Sequence, residues 1–230
     1  MKSRGESRFV HLPRFGALLY DKFLSVEPIQ ARIREIAHEL APMADRGRFL
    51  DVGMGPGRLL IEIHRLSPNL ELYGLDVSAS MVERARKNLH GIRADLRQGT
   101  IRHTAYESNF FTMVACVGSF YLWDYPEESA DEIFRILKEG QSAYLFEVYR
   151  DVNRDEFHRA LQHNLSQLDP VRRLVGPMAL EKAVSMAYRA EDFVKILNRT
   201  RFVGNYTIER VELARMPMWL RITLTKRASA

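Results

Sequence analysis

Between residues 48 and 149 short apolar runs alternate with amphipathic stretches, and this alternation restricts the fold more than any other feature of the sequence. RFLDVG (48–53), LELYGLD (70–76), RADLRQG (93–99), FTMVACVGSF (111–120) and SAYLFEVY (142–149) read as strands, the third of them weak. GRLLIEIHRL (57–66), ASMVERARKNL (79–89) and EESADEIFRILKEG (127–140) read as the helices between them, the last ended by Gly140. Strands joined through helices pair in parallel, because the right-handed crossover brings the chain back running the same way. The expectation is therefore an α/β fold with a doubly wound, seven-stranded, mostly parallel sheet.

The flanks complete that outline. Residues 28–40 carry Ile29, Ile33, Ile36 and Leu40 on one helical face behind Pro28, which predicts a helix ahead of the first strand. Residues 151–189 show no strand pattern: Phe157, Leu161, Leu165 and Leu168 share a helical face, and Pro170 and Pro177 interrupt it, as in a helical insertion or lid. A helix over 191–200 and strands over 202–213 and 216–227 then predict a hairpin at a sheet edge. The expected organisation is one domain over 1–230, with a helical cap (1–44), a core (45–150), the insertion (151–189) and a terminal helix and hairpin (190–230).

Composition narrows the chemistry. No apolar run approaches the roughly 20 residues of a membrane helix, and the opening MKSRGESRFVHLPRFGALLY lacks a signal-peptide pattern, so a cytoplasmic location is expected. A single cysteine, Cys116, excludes an internal disulfide, and the 7 histidines show no HxxxH or HxH pair, so no metal site is expected. Lys and Arg total 34 against 29 acids, a net charge of +5, but they are dispersed and read mainly as a solvated surface.

The stretch DVGMGPGR (51–58) runs from a strand through a glycine turn into a helix. That arrangement presents free backbone N–H groups and a positive helix end at the carboxyl edge of the sheet, where doubly wound folds bind ligands. The dinucleotide pattern G-x-G-x-x-G fails because Arg58 stands where the last glycine belongs, and no G-x-x-x-x-G-K-[ST] is present. The spacing is D-x-G-x-G-x-G, from Asp51 through Gly53, Gly55 and Gly57, and an acid at the strand end suits a ligand carrying a cationic amine. Asp76 closes the next strand, the position of an acid that accepts ribose hydroxyls. Its competing role is a helix N-cap, for which Ser78 is better placed.

FLDVGMGPGRLL, LYGLDVSASMVERARKN, FTMVACVGSFYLW and EIFRILKEG resemble, in order and spacing, the motifs of the class I S-adenosylmethionine-dependent methyltransferases over about residues 45 to 150. The resemblance implies that Asp51, Gly53, Gly55 and Gly57 hold the methionine part of S-adenosylmethionine, Asp76 its ribose and Val77 its adenine. Met81, Gly99, Thr100, Ile101 and the end of the fourth strand at Cys116 fall at further cofactor-lining positions. Three departures stand out: Thr100 where the family carries an acid for the adenine amino group, Thr112 in place of the acid of F-D-x-[VI], and LKEG for L-K-P-G.

Cys116 lacks the preceding proline of cytosine C5 methyltransferases and reads as a small core residue, and no [ND]-P-P-[YF] is present for exocyclic amines. Ser119, Phe120, Tyr121 and Trp123 offer walls for a small, aromatic or anionic acceptor, or Phe120 and Trp123 simply cover the end of the sheet. FGALLYDKF (15–23) resembles the opening of methyltransferases of ubiquinone and menaquinone biosynthesis, with Tyr20 a contact to the cofactor carboxylate or part of packing around Phe15, Leu19 and Phe23. Arg150, Arg154, Arg159, Arg172 and Arg173 are expected to roof the pocket. The sequence thus predicts methyl transfer to a small molecule, releasing S-adenosylhomocysteine, with no catalytic residue assigned. RNA or protein methylation and a non-catalytic cofactor-binding subunit are the alternatives.

Overall fold

In the computed structural model, which describes residues 27–43, 46–165 and 170–228, the apolar runs form a seven-stranded sheet of order β3-β2-β1-β4-β5-β7-β6. The strands are β1 (Gly47–Val52), β2 (Leu70–Asp76), β3 (Ala94–Gln98), β4 (Phe111–Val117), β5 (Leu137–Val148), β6 (Tyr206–Leu213) and β7 (Met216–Thr225). β1 to β5 pair in parallel, whereas β7 runs antiparallel to both β5 and β6. The central strands β1 and β4 are buried on both faces, which is why they read as continuous apolar runs rather than alternating ones.

Helices α1 (Glu27–Leu40), α2 (Arg58–Leu66), α3 (Ala79–Asn88) and α4 (Pro126–Ile136) precede or connect the parallel strands. α5 (Arg154–Leu165), α6 (Pro170–Met186) and α7 (Ala190–Leu197) lie between β5 and the hairpin. The predicted stripe of α1 is the buried one, with Ile36 and Leu40 fully enclosed against α2. Phe49, Leu50, Leu60, Ile63, Phe111, Phe146, Phe193 and Phe202 are buried to 2% exposure or less. Each contributes about 1.5–3 kcal/mol of apolar burial, the dominant force holding helices to sheet.

Three local expectations are corrected. The helix over 127–140 ends at Ile136, and Lys138–Gly140 belong to β5: Gly140, at φ 74°, donates its N–H to Lys226 O at 2.7 Å, so this glycine bends the start of a strand instead of ending a helix. Pro177 lies inside α6 and does not interrupt it, at the loss of one backbone donor. The sixth strand begins at Tyr206, because a turn through Gly204, at φ 71°, occupies the start of the predicted segment. On the helical face predicted for 151–189, Phe157 and Leu161 are buried, while the Leu165 side chain and Leu168 lie outside the described residues.

Candidate functional site

The carboxyl ends of β1, β2, β3 and β4 open onto a cavity of about 560 Å³, within the size range of small-ligand sites. Parallel strands place their ends together, and the loops that leave them are tied to one another. Gly53 and Met54 donate their N–H groups to Leu75 O at 2.8 and 3.2 Å, and Gly99 donates to Asp76 O at 2.9 Å. The loops after β1 and β3 are thereby both fastened to the end of β2.

The three glycines of the first loop have three different surroundings. A Cβ on Gly53 would strike the Ser119 side chain, so this residue is glycine to admit the loop after β4. A Cβ on Gly57 would strike Leu89 and crowd Ala85, so this one admits helix α3. Gly55, at φ 52°, has nothing within 4 Å of its Cβ position and lines the cavity, leaving backbone bare toward any ligand. Gly118 is equally open and lines the opposite side.

The two acids divide their roles by depth. Asp76 lines the cavity; its Oδ2 accepts the Gly55 N–H and its Oδ1 accepts the Ser78 N–H, both at 2.8 Å. Ser78 occupies the N-cap position of α3 without a side-chain cap bond, so the backbone donor there is satisfied by Asp76. Burial raises the Asp76 pKa, and the bonds from Ser78 and Gly55 oppose that rise. Asp51 is 3% exposed and does not line the cavity; burial and then the nearby Asp76 carboxyl push its pKa up to about 8, so Asp51 keeps its proton near neutrality.

The far wall is the segment between β4 and α4, from which Gly118, Ser119, Tyr121, Leu122, Trp123 and Tyr125 face the cavity. Phe120 does not: it is buried against Trp123, Phe193 and Tyr188, with ring centres 4.7, 5.1 and 5.8 Å away. Of the two aromatics left open by the sequence, Phe120 thus covers the sheet and Trp123 walls the cavity. Behind this segment sits Glu147 of β5, which the sequence reading passed over. The available signal was a lone acid in the apolar run LFEV, the same signature as Asp51 and Asp76. Cys116 does not line the cavity; it is fully buried, with Sγ 3.0 Å from Ser119 Oγ, and burial, reinforced by the nearby Glu147, raises its thiol pKa well above the ordinary value.

The loop after β3 brings Gly99, Thr100, Ile101 and Arg102 to the cavity, alongside Val77 and Met81. Thr100 Oγ1 accepts the Arg102 N–H at 3.2 Å. Arg102 pairs with Glu128 at 2.7 Å and lies over the Tyr125 ring at 3.7 Å, and it is the basic side chain among the described cavity-lining residues. Lower in the loop, Glu132 of α4 accepts from Thr104 N and Oγ1 at 2.8 and 2.6 Å and from Arg135 at 2.7 Å. Burial raises the Glu132 pKa, but the bonds from Arg135 and Thr104 outweigh it and hold the carboxyl below its usual range, as an anchored anion. The i, i+3 pair Glu132–Arg135 on a helix was the sequence signal for this anchor.

Of the sequence candidates, Gly53, Gly55, Asp76, Val77, Met81, Gly99, Thr100 and Ile101 line one cavity, Asp51, Gly57 and Cys116 support it from behind, and Tyr20 lies outside the described residues. The expected arginine roof is not assembled there. The Arg150 Nε donates to Ala187 O at 2.9 Å, Arg154 pairs with Glu181 at 2.8 Å, and Arg159 is exposed; the side chains of Arg172 and Arg173 are outside the described residues. Among the described residues no cluster of His, Cys, Asp or Glu is arranged to hold a metal ion, and no helix is long and apolar enough to cross a membrane. Bare backbone at Gly55, an acid at the end of β2 and apolar Leu75, Val77, Met81 and Ile101 for a flat base fit a nucleoside such as adenosine.

Comparisons with known proteins point the same way. Residues 49–140 match the family model of the methyltransferase domain. The YdaC methyltransferase of Bacillus subtilis, itself uncharacterized, is 29% identical over 95 residues, 41% of this chain and 52% of its own length. A protein of Synechococcus is 27% identical over 137 residues, so the chain spans 52% and 32% of the lengths of these two curated relatives. A Methanococcus maripaludis structure assigned as an S-adenosyl-L-methionine-dependent methyltransferase superposes with a TM-score of 0.69 at 21% identity, covering 96% of each chain. The plantazolicin methyltransferase BpumL, solved with a triazolic desmethylPZN analog and SAH, superposes at 0.68 with 15% identity over 93% of this chain and 92% of its own. At these identities the structural likeness concerns the fold.

Proposed function

We propose that this chain, a member of the class I S-adenosylmethionine-dependent methyltransferases through its residues 49–140, binds S-adenosylmethionine in the strand-end cavity and methylates a small-molecule acceptor. The cofactor supplies a methyl group on a sulfonium, already activated toward a nucleophile. The Asp76 carboxylate accepts the ribose hydroxyls, the backbone at Gly53 and Gly55 takes the methionine part, and Val77, Met81 and Ile101 flank the adenine. Thr100 takes the place of an acid at the adenine edge, and its hydroxyl already serves the Arg102 N–H. Asp51, buried behind the loop with its pKa pushed up to about 8, adds no negative charge beside Asp76 near neutrality.

The observation that carries the acceptor class is the far wall: Tyr121, Leu122, Trp123 and Tyr125 line the end of the cavity away from Gly55, and the lining arginine, Arg102, is already paired with Glu128. Such a wall excludes water and orients an apolar or aromatic molecule, and positioning of this kind is worth about 7–11 kcal/mol without any base. A polynucleotide would require an open basic surface there. The presence of a natural-product methyltransferase among the structural neighbours supports the same class.

The test is transfer from methyl-labelled S-adenosylmethionine to a fractionated extract. Label recovered in the low-molecular-weight fraction is the expected result; label confined to RNA or protein overturns the acceptor class. Binding of neither S-adenosylmethionine nor S-adenosylhomocysteine in calorimetry overturns the entire reading.

A further inference from the structure

Glu147 sits where β5 outruns β4. Leu145 pairs with Cys116 and Phe146 with Val117, so Glu147 lies one step past the last strand pair and, by alternation, on the same face as Cys116. Its side chain is completely buried, yet no basic side chain accompanies it among the residues that bond it. Oε1 instead accepts the Ser119 N–H at 3.1 Å, the Phe120 N–H at 3.0 Å and the Cys116 thiol at 3.2 Å. Ser119 Oγ continues the network to Val52 O at 3.2 Å, at the mouth of the glycine loop.

We propose that Glu147 is a positioning residue of the cofactor site, whose carboxyl gathers the Ser119 and Phe120 amides and the Cys116 thiol and so holds the segment from Gly118 to Trp123 as a wall of the cavity. Three consequences of the geometry carry the assignment. Phe120 is drawn into the core, which turns its neighbours Ser119 and Tyr121 toward the cavity. Ser119 is pressed against Gly53, so the same carboxyl also fixes the distance between the far wall and the glycine loop. An unmade bond to a buried amide costs far more than a single made bond contributes, so the segment has little freedom to leave this conformation while Glu147 is present.

The second oxygen explains how an acid tolerates this place. Oε2 has no hydrogen-bond partner among the described residues. Burial raises the Glu147 pKa to about 7, against the opposing bonds from Phe120, Cys116 and Ser119. A proton on Oε2 leaves Oε1 as a neutral carbonyl-type acceptor, which a glutamine amide reproduces. The wall is therefore held by an acceptor, and a negative charge is not required.

The proposal rests on the reading that S-adenosylmethionine occupies this cavity, and the experiment separates the two. S-adenosylhomocysteine affinity is measured by calorimetry on wild type, Glu147→Leu, Glu147→Gln and Phe202→Leu, the last being a buried change next to Phe134, neither of which lines the cavity. Glu147→Leu is expected to weaken binding on the order of 10- to 100-fold, whereas Glu147→Gln stays within about threefold of wild type. Phe202→Leu should lower the melting temperature without changing affinity. Wild-type affinity in Glu147→Leu, a Gln variant as weak as the Leu variant, or an equal loss in Phe202→Leu overturns the proposal; absence of binding by wild type overturns the cofactor reading instead. Amide exchange in the wild-type protein needs no variant. The Ser119 and Phe120 amides should be protected before S-adenosylhomocysteine is added, and fast exchange until it binds would equally overturn the assignment.

Discussion

The floor and the far wall of the cavity are built in opposite ways. On the floor, between β1 and β2, bare glycine backbone faces the cavity, and its N–H groups are held by the end of the neighbouring strand: Gly55 by the Asp76 carboxyl, Gly53 by Leu75 O. On the wall, between β4 and β5, side chains face the ligand, and the backbone donors point backward to an acid in the core. Asp76 is at once a scaffold acceptor and a lining group, whereas Glu147 touches only the scaffold. A floor made of backbone suits a constant cofactor, and a wall made of side chains can vary with the acceptor without disturbing the floor.

The strongest way to break this contrast is Gly55→Val. A β-branched residue at φ 52° is strained, by about 1–2 kcal/mol, and its side chain enters the cavity. S-adenosylhomocysteine affinity should fall by about 100-fold or more in calorimetry while far-UV circular dichroism is unchanged. Gly57→Val should do the reverse, lowering the melting temperature sharply because its side chain meets Leu89 and Ala85. Wild-type binding in Gly55→Val would mean that the floor is not the site.

Asp76→Ala is next in size. It removes the acceptor for two backbone donors and, in the proposed role, for the ribose, so affinity should drop on the order of 10- to 100-fold. If Asp76→Ala binds normally, floor and wall do not differ in the way argued above.

Asp51→Asn sharpens the division by depth. Because the folded pKa of about 8 lies above the usual 3.8, the folded protein binds the extra proton in that window. The Asp51 contribution to stability is therefore fully present below about pH 4 and is lost as pH rises toward 8. The melting temperature of Asp51→Asn relative to wild type should climb across that window and level off above it, by ~2–4 °C for each kcal/mol. A difference independent of pH would show that Asp51 ionises normally.

The smallest effect lies at the other end of the sheet. Thr112 accepts the Arg48 N–H and donates to Arg48 O, both at 2.9 Å, and it packs where a side chain on Gly47 would otherwise stand. Thr112→Ala should cost about 1 kcal/mol and a few degrees of melting temperature, with S-adenosylhomocysteine affinity unchanged. A change in affinity would show that the two ends of β4 are coupled.

The floor was legible in the sequence because its parts are local. Asp51, Gly53, Gly55 and Gly57 are within seven positions, and Asp76 closes the next strand, so spacing alone brings them to one sheet edge. The three glycines nevertheless read alike, and only contacts with Ser119 and Leu89 separated them. The wall's side chains were legible in Ser119, Tyr121 and Trp123, but what anchors them was not, for the same reason inverted. Glu147 follows Ser119 by 28 positions and reaches it only through the pairing of β4 with β5. Gly140 was misread because its local pattern, a glycine after an amphipathic run, is common to helix ends and to bent strands, and β7 chose between them.

Sequence by itself determined the alternation of strands and helices and the parallel sheet, because both depend on hydrophobic period along the chain, and it pointed to the cofactor through the family resemblance of its motifs. Tertiary structure alone decided which glycine faces the cavity, that the Asp51 carboxyl is buried with a raised pKa while Asp76 lines the cavity, that Thr112 bonds to β1, and that Glu147 accepts the Ser119 and Phe120 amides. These depend on burial and on hydrogen bonds between distant segments, and neither exists until the sheet has brought those segments together.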